Sequence, residues 1–194
     1  LNYQTPILNN STTYYVSENI PSSTLSSVGP QDHTGSSLYS GDQYNGGVIF
    51  DVYKDIIINT VKIYSDLAGD RKIILLDDNN NIVDDTIIFI NNSSSSQILT
   101  LNFPVSIGNN YQLTTDENLN NTNFGYNSPR LQRSSSGFSY PYDINNIISL
   151  YDSPYGTDYY YYFYDWQIQE YCSSARVPIS AIIIPATNIA INPN

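Results

Sequence analysis

A period-two alternation of apolar and polar residues is the feature that most restricts how this chain can fold. Val48, Phe50 and Val52 point to one side of a run whose other residues point away, and the run 55–65 repeats the pattern. In an extended chain this period places one face of a strand against a core. No stretch longer than a turn has the 3.6-residue period of an amphipathic helix. The sequence therefore predicts an all-β protein.

Turn-forming residues divide the alternating runs into separate strands. The runs 71–78 and 81–90 are separated by an Asp-Asn-Asn-Asn cluster, which favours a tight hairpin. A strand over 97–103 should end at Pro104, and residues 116–128 should form an exposed polar loop. The other predicted strands are 12–16, 48–53, 55–65, 111–115, 129–133, 137–140, 146–151, 159–170 and 176–184. Roughly ten strands at a spacing of about 8–12 residues predict a jelly-roll-like antiparallel β-sandwich.

The length of 194 residues fits one β-sandwich domain, expected over 11–184. Within it, residues 11–44 are weakly patterned and are expected to wrap the sandwich as an extended segment. Residues 1–10 are expected to be an N-terminal connector. Residues 185–194 are expected to be a C-terminal connector or an exchanged strand. Because the chain begins at Leu1 without an initiating Met or a leader, we expect it to be either a matured secreted product or a segment of a longer protein, and we favour the segment.

The C-terminal segment contains a short alternation bracketed by prolines. Ile189 and Ile191 share one face of this segment, between Pro185 and Pro193. Prolines restrict entry into a sheet and suit a semi-rigid joint between modules. An exposed edge of a neighbouring domain offers these two isoleucines a partner, whereas terminal strands more often stay in their own sheet or fray. Both residues are therefore candidate interface residues.

The charge of the chain excludes two classes of partner. Seven Lys and Arg face 18 Asp and Glu, which gives a net charge of -11. Such a surface repels phosphate backbones and anionic lipid, so we expect no nucleic acid partner. No apolar run approaches the length of a membrane span, so we expect no membrane insertion. The modest number of charged residues among many amides and hydroxyls is typical of an extracellular or cell-surface protein.

Catalytic and metal-binding patterns are weak. The chain has one histidine, His33, and one cysteine, Cys172, which we expect to be a buried apolar side chain. No nucleophile motif surrounds a serine, so we expect no enzyme activity. Acidic residues near turns are weak candidates for a structural calcium ion, and no other cofactor is expected. These candidates are Asp66, Asp70, Asp77 and Asp78.

An aromatic run over 158–169 is the most informative segment. If the run is one strand, its even positions share a face that ends apolar and belongs to the core. Its odd aromatic positions then lie on the outer side, where the rings can stack on sugars or pack against a neighbouring subunit. Cover by the segment 11–44 is the alternative. The candidate binding residues are Tyr159, Tyr161 and Phe163.

Several short motifs together resemble a known type of domain. They are Asn59–Tyr64, Ala68–Ile73, Leu101–Val105, Gly108–Leu113, Ser136–Tyr142, Tyr160–Trp166 and Cys172–Ile179. Over residues 45–184 the chain resembles a β-sandwich repeat or accessory domain of large Bacteroidetes surface proteins exported by type IX secretion. The resemblance implies a non-catalytic, secreted module that occurs beside adhesin repeats and sometimes hydrolases.

Two functions follow as hypotheses. The first is a structural and adhesive module of an extracellular bacterial filament or giant surface adhesin, with neighbouring copies or modules as partners. The alternative is a carbohydrate-binding module of a secreted glycan-degrading enzyme, with a surface polysaccharide as partner. An autonomous hydrolase is a distant third hypothesis. An exposed aromatic groove would favour the carbohydrate-binding hypothesis, whereas strand exchange between copies would favour the filament.

Overall fold

A computed structural model describes residues 7–8, 10–35 and 38–183 of the chain. These residues belong to two compact units. The larger unit comprises Pro21–Tyr171, and the smaller unit is formed by the chain up to Ile20 and from Cys172 onward. The predicted connector 185–194, with Ile189 and Ile191, lies outside the described residues.

Strands dominate both units, as the alternation predicts. The described residues form one helix, α1 (Glu117–Phe124), and sixteen strands. The strands are β1 (Thr12–Val16), β2 (Asn19–Pro21), β3 (Ser26–Val28), β4 (Leu38–Tyr39), β5 (Gly47–Val52), β6 (Ile56–Ser65), β7 (Gly69–Leu76), β8 (Ile82–Ile90), β9 (Ser93–Val105), β10 (Gly108–Thr115), β11 (Gln132–Ser134), β12 (Tyr142–Ile144), β13 (Ile148–Asp152), β14 (Tyr160–Tyr161), β15 (Tyr164–Ser173) and β16 (Val177–Ala181). Among these residues, no helix is long and apolar enough to span a membrane.

Two antiparallel sheets share one core, so the predicted β-sandwich is confirmed. One sheet has the order β12-β13-β5-β10-β7-β8, and the other has the order β2-β15-β6-β9, with β3 also paired to β15. Phe50 and Leu113 of the first sheet lie in the same buried cluster as Ile58, Phe103 and Trp166 of the second. From β5 to β10 the chain passes repeatedly from one sheet to the other, which is the jelly-roll-like feature of the fold.

The hairpin of β7 and β8 is confirmed, and its turn is held by one carboxylate. Asp77 Oδ1 accepts hydrogen bonds from the backbone N–H groups of Asn79 and Asn81, at 2.9 and 2.8 Å. Asn80 adopts the left-handed conformation, with φ 61°, which asparagine tolerates better than most residues. Nδ2 of Asn81 also donates to Oδ2 of Asp77, and this side-chain bond is the largest cause that lowers the pKa of Asp77. The two backbone bonds lower the pKa further.

One strand is longer than the sequence predicts. β9 continues from Ser93 to Val105, so Pro104 lies within it and does not end it. β9 forms one edge of its sheet, which is the position where a strand tolerates a proline. The predicted strand 137–140 is wrong, since the structure shows irregular backbone there and places β12 after it.

The prediction of an exposed loop over 116–128 is wrong, because helix α1 occupies most of this segment. Asp116 caps the helix by accepting a hydrogen bond from the Leu119 N–H at 2.7 Å, and Gly125 ends it with φ 74°. The helix has few apolar residues, so its sequence has no 3.6-residue period of apolar positions that would predict it. Asn120 is fully buried within it.

In the described part of the smaller unit, two strands form an antiparallel pair. β1 pairs with β16, with Thr12 opposite Ala181 and Val16 opposite Val177. Both strands agree with predicted ones. Cys172 lies in the same unit and is exposed, so the prediction that it is buried is wrong.

Candidate functional site

The aromatic run does not form the single strand that the sequence predicts. β14 ends at Tyr161, and β15 begins at Tyr164. The backbone turns tightly between them, since the Phe163 N–H donates to the carbonyl of Tyr161 at 2.8 Å. Tyr162 and Asp165 have positive φ values of 66° and 41°. The alternation of faces is therefore interrupted in the middle of the run.

This turn places the odd-numbered aromatic residues differently from the prediction. Phe163 is fully buried and Tyr161 is 2% exposed, so the expected outward row of rings is wrong for both. Tyr159 is half-buried and packs against the core. The predicted core side of the run is confirmed by four buried residues, Tyr160, Tyr162, Tyr164 and Trp166.

Tyr159 and the almost fully buried Tyr161 instead help to line a surface cavity of about 300 Å³, here called the tyrosine pocket. Its residues come from the loop after β4, from β11, from the loop after β13 and from the segment through β14. β11 and β14 pair so that Arg133 lies opposite Tyr161. The tyrosine pocket is lined by Asp42, Tyr44, Arg133, Tyr155, Tyr159 and Tyr161.

The four tyrosines form a chain of ring contacts. The centroids of Tyr44 and Tyr155 lie 5.3 Å apart with their planes at 84°. Tyr161 lies 6.0 Å from both Tyr155 and Tyr159. These distances are within the range of favourable aromatic pairs. Tyr44 and Tyr155 are 60% and 44% exposed, so two of the rings are accessible from solvent.

A pair of opposite charges completes the pocket. The guanidinium carbon of Arg133 lies 4.7 Å from the ring centroid of Tyr159 and 5.9 Å from that of Tyr161, which are cation–π distances. Its Nη1 atom is 3.7 Å from Oδ2 of Asp42. The two groups form an ion pair, but the distance between the two atoms is too long for a direct hydrogen bond. Nε of Arg133 is buried and has no hydrogen-bond partner within the described part of the chain.

Hydrogen bonds fix the loop that carries Asp42 and Tyr44. The Asp42 N–H donates to Oγ of Ser128 at 2.9 Å, and that hydroxyl donates to the Asp42 carbonyl at 3.0 Å. Oδ1 of Asp42 accepts from the Tyr44 N–H at 3.0 Å. At the end of the loop, Asn45 is buried, its Nδ2 donates to the Thr115 carbonyl, and its Oδ1 accepts from Oγ1 of Thr115. The pocket wall is thus attached to β10 and to the residues after α1.

Sequence reasoning missed four residues of the pocket, namely Asp42, Tyr44, Arg133 and Tyr155. Asp42 and Tyr44 share the loop after β4, whereas Arg133 and Tyr155 come from two other segments, and none of the four belongs to a motif. The nearest signal is the Pro-Tyr-Gly turn around Tyr155, which predicts an exposed aromatic ring but no partner for it.

A larger cavity of about 570 Å³ lies beside the hairpin of β12 and β13. It contains one aromatic residue, Tyr53, and one charged residue, Asp143. We rank the tyrosine pocket above it because four rings and a pair of opposite charges converge on the smaller volume. Tyr53 and Asp143 therefore serve as control positions in the experiments below.

The structure separates the weak calcium candidates. Asp66 forms an ion pair with Arg130, and Asp77 binds the turn after β7. Asp70 lies near the start of β7, whereas Asp77 and Asp78 follow its end, about 20 Å away in an extended strand. Among the described residues there is no group of three or more His, Cys, Asp or Glu side chains that could hold a metal ion. A structural calcium ion stays a prediction from the sequence.

The single histidine packs beside strand β11. A ring nitrogen of His33 is 3.2 Å from the carbonyl oxygen of Arg133. The ring also makes edge contacts with Tyr64 and Tyr164, at 6.1 and 6.2 Å. These contacts account for His33 as a residue that supports β11.

Comparison of the chain with protein-family models, with curated proteins and with solved structures finds no match in any of the three. The class of the protein therefore rests on its own features. It is an antiparallel β-sandwich with an aromatic surface pocket.

The buried tyrosines next to the pocket predict a loss of stability at alkaline pH. Burial raises the pKa of Tyr160, Tyr162 and Tyr164 above the usual value of about 10. Above pH 10 the unfolded chain releases phenol protons that the folded chain retains, so the free energy of unfolding falls as pH rises. It should be insensitive to these groups below that pH.

Tyrosinate absorbance at 295 nm, followed together with circular dichroism, measures this effect. We expect the exposed tyrosines to ionise first and the buried ones only as the fold is lost. Ionisation of all 19 tyrosines in one step near pH 10, with unchanged circular dichroism, would contradict the burial of these rings.

Proposed function

We propose that this chain is a non-catalytic glycan-binding module whose tyrosine pocket holds one sugar ring. The observation that carries the proposal is the convergence of four tyrosines with Arg133 and Asp42 on one cavity. This function corresponds to the carbohydrate-binding alternative of the sequence analysis, and the binding residues are redefined as those of the pocket.

The chemistry of the lining matches the two kinds of surface on a sugar. The C–H face of a pyranose is apolar and packs on aromatic rings, which offer large contact areas at low entropic cost. Sugar hydroxyls both donate and accept hydrogen bonds, and the pocket supplies a guanidinium donor and a carboxylate acceptor. A volume of about 300 Å³ lies at the small end of ligand sites, which suits one ring and not an extended chain.

Removing single rings from the pocket tests the proposal. We expect Tyr44→Ala and Tyr159→Ala each to weaken glycan binding at least tenfold. Tyr44→Ala should leave the free energy of unfolding nearly unchanged, because its ring is mostly exposed. Binding is measured on a panel of immobilised glycans and then by calorimetry with each glycan that is retained.

Tyr53→Ala is the matched control, since Tyr53 is also an exposed tyrosine but lies at the larger cavity. The glycan affinity of the Tyr53→Ala variant should equal that of the unmodified chain. The proposal is wrong if no glycan binds, or if the affinity falls with Tyr53→Ala and not with the two pocket variants.

The cellular setting remains an expectation from the sequence. The resemblance to secreted Bacteroidetes surface domains supports an extracellular or cell-surface location, where such a module would attach an adhesin or a glycan-degrading enzyme to polysaccharide. A net charge of -11 is compatible with a soluble sugar-binding surface.

A structural and adhesive module is the second candidate, favoured by the exposed apolar side chains of the smaller unit. They are Tyr15, Val16, Val177, Ile179 and Ile182. Contact with a neighbouring copy or module would bury them. Phe163 cannot serve as an anchor of such an assembly because it is fully buried.

Sedimentation velocity tests this second candidate. Because copies that each carry a charge of -11 repel one another, self-association should increase with salt. Deletion of residues 185–194 should reduce it. A chain that stays monomeric at all salt and protein concentrations would contradict this candidate and leave glycan binding in place.

A further inference from the structure

We infer that the tyrosine pocket selects an uncharged sugar that presents two adjacent free hydroxyl groups, which are bridged between Arg133 and Asp42. The inference rests on the proposed glycan-binding function and specifies the class of sugar.

The geometry of the charged pair leaves room for such a bridge. Nη1 of Arg133 and Oδ2 of Asp42 are 3.7 Å apart, too far for a direct hydrogen bond. The other carboxylate oxygen of Asp42 is engaged by the Tyr44 N–H, which holds the side chain in place. Hydroxyls on neighbouring ring carbons can accept from the guanidinium and donate to the free carboxylate oxygen at the same time.

The guanidinium is oriented before any ligand arrives. Arg133 lies over the ring of Tyr159, 4.7 Å from its centroid, and its strand pairs with β14 at Tyr161. Among the residues that the structure describes, its buried Nε has no hydrogen-bond partner. A planar fork held in this way keeps its N–H groups aimed in fixed directions, which a lysine cannot reproduce.

Charge around the pocket favours a neutral ligand over an acidic one. Burial raises the pKa of the Tyr155 phenol, and the negative charges of Glu117 and Asp42 raise it further. Arg133 is the one cation that lines the pocket in the described chain, and it already faces Asp42. A uronic acid would therefore bring its carboxylate into a region where two carboxylates oppose one cation.

A titration of the full chain with small sugars, followed by NMR, tests the inference. The probes are the methyl glycosides of glucose, galactose and mannose, together with glucuronic and galacturonic acid. We expect at least one neutral glycoside to bind, and its deoxy analogue at either bridged position to bind at least tenfold more weakly. The matching uronic acids should bind at least tenfold more weakly at low salt.

Two substitutions connect this selectivity to the charged pair. Asp42→Asn keeps the oxygen that accepts from the Tyr44 N–H. This variant should bind the neutral sugar about tenfold more weakly and should discriminate less against uronic acids. Arg133→Lys should lower the affinity for every neutral sugar at least tenfold. Asp143→Asn, in the larger cavity, is the matched control and should change neither property.

The possible outcomes distinguish a failure of the inferred selectivity from a failure of the proposed glycan-binding function. If a uronic acid binds more tightly than every neutral glycoside, and added salt weakens it, the selectivity is wrong and glycan binding stands. The same holds if neutral sugars bind equally well to the Asp42→Asn and Arg133→Lys variants. If neither the small sugars nor any immobilised glycan binds, the proposed function and the inference both fail.

Discussion

Replacement of Arg71 by methionine is expected to reduce the free energy of unfolding by about 3–5 kcal/mol. Arg71 is fully buried in β7, where its guanidinium donates to the carbonyl oxygens of Pro129, Gly69 and Leu67 and to Oγ of Ser65. Methionine fills a similar volume but leaves these acceptors without their donors. The loss is a large part of the stability of a typical domain.

The same side chain also connects the turn before β7 to helix α1. Its guanidinium carbon lies 4.1 Å from the ring centroid of Phe124, the last residue of that helix. Burial lowers the pKa of Arg71 to about 10, so the group is still charged at neutral pH. The substitution therefore removes a cation–π contact in addition to the hydrogen bonds.

Lys72→Met is the matched control for Arg71→Met in urea denaturation. Lys72 is the next residue of β7, and its Nζ lies 3.2 Å from Oδ2 of Asp85 in a partly exposed ion pair. Removing such a pair costs at most about 1 kcal/mol. Equal losses in the two variants, or a loss below about 1 kcal/mol for Arg71→Met, would show that the buried network does not stabilise the fold.

Gly46→Ala is expected to abolish sugar binding and to cost about 1–3 kcal/mol of stability. A Cβ atom at Gly46 would lie 1.9 Å from Cδ1 and 2.3 Å from Cγ of Tyr161. The backbone cannot withdraw, because the Gly46 N–H donates to Oη of Tyr162 and its carbonyl accepts from Oγ1 of Thr114. The ring of Tyr161 must therefore move, and the pocket loses one of its walls.

Gly125→Ala distinguishes this collision from a general effect of the added methyl group. Gly125 ends helix α1 with φ 74°, and nothing lies within 4 Å of a Cβ built there. Alanine at this position should cost a modest amount of stability through backbone strain while leaving sugar affinity unchanged. Unaltered affinity in Gly46→Ala, measured by calorimetry, would contradict the placement of Tyr161 in the pocket.

The regular strands of the sandwich are predictable because their signals are local. The hairpin of β7 and β8 combines two alternating runs with an Asn-rich turn, and both signals lie within the segment itself. Helix α1 escapes prediction because its stability depends on the caps Asp116 and Gly125 and on the buried amide of Asn120, and it has no apolar stripe. Sequence periodicity reports burial of one face, and this helix has few apolar residues to bury.

The alternation of apolar and polar residues by itself determined that the chain is a β-sandwich and that residues such as Phe50 and Trp166 are in its core. Only the tertiary structure decided where the aromatic run turns. The Phe163 carbonyl accepts bonds from both Tyr160 Oη and Trp166 Nε1, and these bonds form only when the rings are packed. The pocket was decided in the same way, because its six residues come from four separate segments. These segments come together through strand pairing and long-range hydrogen bonds, and a local sequence pattern does not predict such contacts.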